Sequence, residues 1–331
     1  MRPGQLSKVV VTWSGLKGSI SQRFEQDAGL RGVELFIGDD RNEILRQLED
    51  AEVAFVAPFD AEMLGAAKQL RWVHAHVGGV ESYLFPEMVA SPVPFTCIKS
   101  TFATVGREFS IAAMLLFSRR LNHVIGTEAL SVEVESRDHE LHPEDLAGRT
   151  VGVLGLGNMG RAIAQGAGSM GMRVLALART PRSTPEQVDQ LYTVENIDDF
   201  LAQCDYVVAA LPVTDQTRGS INEVFLRQMK PSAYLIDCSG RLALYDFAAL
   251  VSAIEEDWIA GVCLQPAGPA GSLHIPAPSS PFWKRPNVVV SPCRGTSIEQ
   301  DETCLELFFD NLNRYRTGQP LRDLVDKQAG Y

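Results

Sequence analysis

Val151-Gly-Val-Leu-Gly-Leu-Gly-Asn-Met-Gly160 decides how this chain folds: a short apolar run ends in Gly155-x-Gly157-x-x-Gly160. A strand that stops in such a turn and restarts as a helix builds a cradle for a pyrophosphate. The first glycine permits the tight turn, the second lets a phosphate approach the backbone, and the third lets helix and strand pack closely. The helix N-terminus that follows offers unpaired N–H groups and a positive dipole end to an anion, and Asn158 and Met159 join the glycines as expected cofactor contacts. Glycine-rich turns are common, so the flanks matter. Thr150–Leu154 reads as a buried parallel strand, Arg161–Gly168 as a helix with small residues toward the sheet, and Met172–Ala178 as a second strand. Together they form a βαβ unit of about 30 residues, as a dinucleotide site requires.

Outward from this unit, the strand–helix alternation continues in both directions. Val9–Trp13, Val33–Ile37, Val53–Ala57, Arg71–His76 and Phe95–Lys99 read as strands, with helices at Asn42–Leu48 and Ala61–Leu70. A long helix spans Val105–Leu121. After Thr150–Leu154 and Met172–Ala178 come strands at Asp205–Leu211, Ala233–Cys238, Ile259–Leu264 and Asn287–Ser291, then a last helix over Ile298–Arg316. Pro266–Pro286 holds six of the eighteen prolines and is a loop. The pattern predicts an α/β protein of two doubly wound domains, one of them a Rossmann dinucleotide-binding domain.

The chain has 331 residues, enough for two domains, and its 45% hydrophobic and 21% charged content is that of a globular protein. A net charge of −11 without a basic block argues against nucleic acid or an anionic membrane as partner. No apolar run reaches the ~18 residues of a membrane span, and the N-terminus does not read as a signal peptide. The six cysteines are scattered without a C-x-x-C pair, which suits reduced thiols in a cytoplasmic protein. The six histidines show no metal-ligand spacing, so no metal is expected.

Nearly the whole chain resembles the D-isomer-specific 2-hydroxyacid dehydrogenases, in particular the NADPH-dependent glyoxylate/hydroxypyruvate reductase type. The resemblance rests on the glycine fingerprint, Leu211-Pro-Val-Thr-Asp-Gln-Thr-Arg-Gly-Ser-Ile-Asn222, Met229-Lys-Pro-Ser-Ala, Ser280-Pro-Phe-Trp283, Pro286-Asn-Val-Val-Val-Ser-Pro292 and Ala329-Gly-Tyr331. It implies a flavodoxin-like substrate domain, residues 1–118 and 299–331, completed by the C-terminal helix, and an NAD(P)-binding domain over 119–298. It implies a small-molecule substrate, a homodimer, and a Val77-Gly78-Gly79 loop whose backbone holds the substrate carboxylate, as a short glycine-rich anion nest does. Leu211, Pro212, Thr217, Cys238, Ser239 and Gln265 would join the glycines around the cofactor.

An NAD site places Asp or Glu about 20 residues past the glycines, on the ribose 2′-OH. Here that position is Ala178, followed by Arg179, Thr180 and Arg182. Guanidinium groups bind a 2′-phosphate that a carboxylate would repel, so NADP(H) is expected over NAD(H).

The catalytic positions depart from the family. Counting back from Asp246 puts the family's catalytic Arg on Arg241; counting forward from Asp237 puts it on Gly240, and a one-residue insertion reconciles the two in favour of Arg241. The family's P-H becomes Pro292-Cys293. A thiol has a reference pKa near ~8.5 against ~6.5 for imidazole and is a weak hydrogen-bond donor. The partner Glu falls on Ala270 or His274, depending on the anchor. His274 is therefore a second proton donor to weigh beside Cys293, against the plainer readings of a loop histidine and a small buried thiol. Two functions follow: an NADPH-dependent reductase of small 2-keto acids with non-standard acid catalysis, or a dehydrogenase-like protein that binds NADP(H) without turnover.

Overall fold

A computed structural model describes residues 6–124, 142–179, 184–266, 275–291 and 298–331. The chain forms two compact units, Met1–Thr101 with Ser297–Tyr331, and Phe102–Thr296.

The first unit holds five parallel strands, β1 (Lys8–Val11), β2 (Glu34–Ile37), β3 (Val53–Val56), β4 (Trp72–Ala75) and β5 (Phe95–Cys97), in the order β2-β1-β3-β4-β5. This is the flavodoxin-like order. Strand residues alternate faces. Val10, Ala54, Val56 and Val73 pack against Ile44, Leu48 and Met63 from the helices Arg41–Leu48 and Ala61–Ala66. Val9, Val11, Val53, Phe55 and Trp72 pack on the other face against Ile20 and Phe24 of Lys17–Gln26, and against Leu305, Phe308 and Leu312 of Ile298–Thr317. The C-terminal helix thus completes this core, as expected; the Phe308 ring stacks on Phe55 with centroids 4.1 Å apart. Asp40 and Asp60 cap their helices, accepting from the Glu43 and Met63 amides. The second of these helices ends at Ala66, not Leu70, where Ala67 leaves the helical region at ψ 75°.

The second unit holds seven parallel strands: β6 (Thr150–Leu154), β7 (Arg173–Leu177), β8 (Gln190–Tyr192), β9 (Tyr206–Ala209), β10 (Tyr234–Asp237), β11 (Gly261–Leu264) and β12 (Val288–Val290). Their order is β12-β11-β10-β9-β6-β7-β8, the Rossmann arrangement extended by one strand. The sheet's three-residue edge strand β8 has no counterpart in the sequence reading, because Gln190-Leu-Tyr192 is not an apolar run and buries only its last residue. The helix Ala103–Ser118 belongs to this unit, which moves the division from the expected residue 118 to 101. Its Ala113, Met114 and Phe117 share a core with Val151, Val153 and Ile163. Backbone approach there is close: a Cβ on Gly166 would lie 2.7 Å from Arg107 Cγ of that helix.

Candidate functional site

The parallel register brings four strand ends of the second unit to one edge. Leu154 pairs with Leu177 on one side and Ala209 on the other, and Ala209 pairs with Asp237. The loops that follow these residues hold most of the expected cofactor contacts. Such carboxyl ends are where doubly wound sheets bind ligands.

The three glycines occupy three different steric situations. Gly155 has φ +90°, and a Cβ there would lie 2.8 Å from the Ala210 carbonyl oxygen. Gly157 precedes the helix Asn158–Ser169 at φ −75°, and a Cβ there would meet nothing within 4 Å. A Cβ on Gly160 would collide with the Gly155 carbonyl oxygen and touch Val153. The middle glycine is thus the one position whose missing side chain leaves room above the helix N-terminus, which fits a dinucleotide phosphate. Arg161, which the motif does not specify, braces this turn: its guanidinium donates to the Leu156 carbonyl at 3.3 Å and the Asn158 side chain at 3.4 Å.

Beside the glycine turn, the Gly155 amide donates to the Leu177 carbonyl at 2.9 Å. Ala178 is buried and Arg179 is exposed. No carboxylate occupies the end of β7. Thr180 and Arg182 lie outside the described residues.

After β9, the Thr217 hydroxyl donates to the Pro212 carbonyl at 2.7 Å and accepts from the Thr214 amide at 2.8 Å. These bonds give Thr217 a local task, shaping the Leu211–Pro212 turn. After β10, Asp237 is wholly buried, and its Oδ1 accepts from the Ser239 amide at 3.0 Å and hydroxyl at 2.7 Å. Ser239 Oγ accepts in turn from the Arg241 amide at 3.1 Å, while Gly240 turns the chain at φ +68°. Burial raises the Asp237 carboxyl to about 6, partly offset by the Ser239 bonds and the neighbouring Tyr245 hydroxyl. Cys238 is buried, its Sγ 3.4 Å from the Gly106 carbonyl and 3.3 Å from Met159 Sδ, and burial pushes its thiol up to about 12. Its side chain points into the protein, as does that of Gln265. Cys293 and His274 lie outside the described residues.

In the first unit, Val77, Gly78 and Gly79 follow β4 at the carboxyl edge of its sheet, and all three are half-buried. The Val77 carbonyl accepts from the Ile98 amide at 3.1 Å, whereas no bond from the Gly78 or Gly79 amide occurs among the described residues. A feature the sequence reading passed over precedes them. The His76 ring stacks on Trp13 with centroids 5.1 Å apart, and its Nε2 lies 3.9 Å from Asp301 Oδ1. The visible signal was a histidine between a strand and a Gly-Gly turn; its carboxylate is more than 200 residues away in sequence.

The model of the D-isomer specific 2-hydroxyacid dehydrogenase NAD binding domain matches residues 111–295. The chain belongs to the D-isomer-specific 2-hydroxyacid dehydrogenase family. It is accordingly an NAD(P)-dependent oxidoreductase acting on CH–OH groups. Among its relatives, a glyoxylate reductase of Thermococcus onnurineus is 30% identical over 311 residues, covering 89% of this chain and 90% of that protein. A glyoxylate/hydroxypyruvate reductase A of Photorhabdus laumondii is 28% identical over 291 residues, covering 85% and 88%. The NADPH-dependent glyoxylate/hydroxypyruvate reductase of Sinorhizobium meliloti, solved with NADP and sulfate, superposes with a TM-score of 0.81 at 26% identity, covering 98% of this chain and 100% of that one. Among the described residues no helix is long and apolar enough to cross a membrane.

Proposed function

We propose that this chain is an NADPH-dependent reductase of small 2-keto acids of the glyoxylate and hydroxypyruvate kind. The second unit is its nucleotide domain and the first its substrate domain, in the homodimer that the family resemblance implies. The observation that carries the reading is the contrast between Gly157, open above a helix N-terminus, and Gly155 and Gly160, closed against backbone. Preference for the 2′-phosphate is supported by buried Ala178 where an acid would stand and by exposed Arg179 beyond it; Arg182 would add a second guanidinium.

When bound, the nicotinamide supplies a hydride. The chain's own residues do the rest. Free amides of the Val77–Gly79 loop hold the substrate carboxylate, and Arg241 neutralises charge on carboxylate and carbonyl. The hydrogen-bond chain from Asp237 through Ser239 fixes the Arg241 backbone in place. Losing a tuned proton donor typically forfeits ~10²- to 10⁴-fold in rate, so Cys293 at the histidine position makes the proton source the open chemical question.

The test is NADPH oxidation with glyoxylate, hydroxypyruvate and bulkier 2-keto acids. Turnover is expected, faster than with NADH, and reduced at least ~100-fold in Arg241→Ala. Tight NADPH binding without turnover across the panel would contradict the reading and favour a binding or regulatory protein.

A further inference from the structure

Resting on the keto-acid reductase reading, we propose that His76, with the Asp301 carboxylate beside it, donates the proton to the carbonyl oxygen, replacing the histidine–glutamate pair that the resemblance implies and Pro292-Cys293 lacks. Three observations place it. First, His76 directly precedes the Val77–Gly79 loop, at the carboxyl edge of a doubly wound sheet, where substrates of such sheets bind. Second, its two ring nitrogens differ. Nε2 is buried without a hydrogen-bond partner and lies 3.9 Å from Asp301 Oδ1, whereas Nδ1 is not closed off and makes no hydrogen bond among the described residues. Third, the ring is held by aromatic contacts, stacked on Trp13 at an interplanar angle of 21° and edge-on to Phe55 at 78°. At 3.9 Å the Asp301 carboxylate makes no hydrogen bond to Nε2 but favours the imidazolium through its charge, while the aromatic contacts hold the ring and leave Nδ1 to donate.

All of these residues belong to the first unit, so the pair is assembled on the element that presents the carboxylate loop. The carbonyl carbon gains the hydride supplied by the bound cofactor, and the C=O pair moves onto oxygen. The Nδ1–H bond breaks as the O–H bond forms. The imidazolium becomes neutral imidazole and regains a proton from water, while Asp301 stays ionised. The keto acid is reduced and the cofactor oxidised.

Among the described residues, the charged and titratable groups acting on His76 are Asp301 of the last helix and His74 of the preceding strand β4; Trp13 and Phe55 are neutral. Burial lowers the His76 pKa and Asp301 opposes that shift. A protonated donor loses activity as pH rises through its pKa. Removing the Asp301 charge lowers that pKa, so the alkaline limb of kcat must move to lower pH in Asp301→Asn.

The experiment uses the full chain with labelled histidine and glycine. His76→Gln is expected to lose ~10²-fold or more in kcat while NADPH binding stays within twofold, and Asp301→Asn to shift the alkaline limb downward. Independently of turnover, oxamate, an unreactive 2-keto-acid isostere, should shift the Gly78 and Gly79 amide resonances and raise the His76 ring pKa. Full kcat in His76→Gln overturns the proposal but leaves the reductase reading standing. So does an oxamate response of Gly78 and Gly79 without one at His76. Absence of any response at loop and ring overturns both.

Discussion

Asp237 anchors the turn that leads from β10 to Arg241. In the structure it is a buried carboxyl whose Oδ1 gathers the Ser239 amide and hydroxyl, while Oδ2 lacks a partner. Its pKa is raised from 3.8 to about 6. The folded state therefore binds this proton more tightly than the unfolded chain, and stability falls as pH rises from 3.8 through about 6. Asp237→Asn keeps the acceptor for Ser239, adds a donor toward Tyr245 and removes the buried charge. Urea unfolding should find the variant more stable than the parent by roughly 1–3 kcal/mol at pH 8, with that advantage gone at pH 4. Equal stability at both pH values would contradict this account. His76 belongs to the same class: neither its burial nor its neighbour Asp301 leaves a trace in local sequence.

At the scale of elements, the glycine turn was legible to the residue. Its three glycines differ sterically, Gly155 and Gly160 closed against backbone and Gly157 open. Gly160→Ala should cost roughly 1–3 kcal/mol, since its Cβ meets backbone that cannot move aside. Gly157→Ala should stay within about 0.5 kcal/mol of the parent, because φ −75° suits any residue and the space is open. Thermal melting of the two variants checks the contrast, and equal losses would contradict it. Strands flanked by helices were equally legible, because buried parallel strands are continuous apolar runs. β8 was not, because Gln190-Leu-Tyr192 is no apolar run, unlike the equally short β5 and β12, and the ends of Ala61–Ala66 and Ala103–Ser118 differ from the reading by two to four residues, helix termini carrying weak local signals.

At the scale of the molecule, two doubly wound units follow from the strand–helix rhythm, but their boundary depends on which core claims Ala103–Ser118. The units also differ in their response to acid. His74 is wholly buried in the first, its pKa lowered from 6.5 to about 3 by burial and the nearby His76. Thr96 Oγ1, 2.7 Å from His74 Nδ1, also accepts from Trp72 Nε1 at 2.8 Å. The unfolded chain takes up this proton first, so the stability of the first unit is full above pH 6.5 and falls toward pH 3. The loss reaches roughly 4–5 kcal/mol, and His74→Gln should flatten that part of the acid-unfolding curve; an unchanged curve would contradict the assignment. The central claim remains the dinucleotide site, and its most direct test is the NADPH dissociation constant of wild type and Gly157→Ala, read by nicotinamide fluorescence. The account predicts tight binding in wild type, weaker with NADH, and a loss of at least ~10-fold in a variant that melts like its parent. Unchanged NADPH affinity in Gly157→Ala would contradict it.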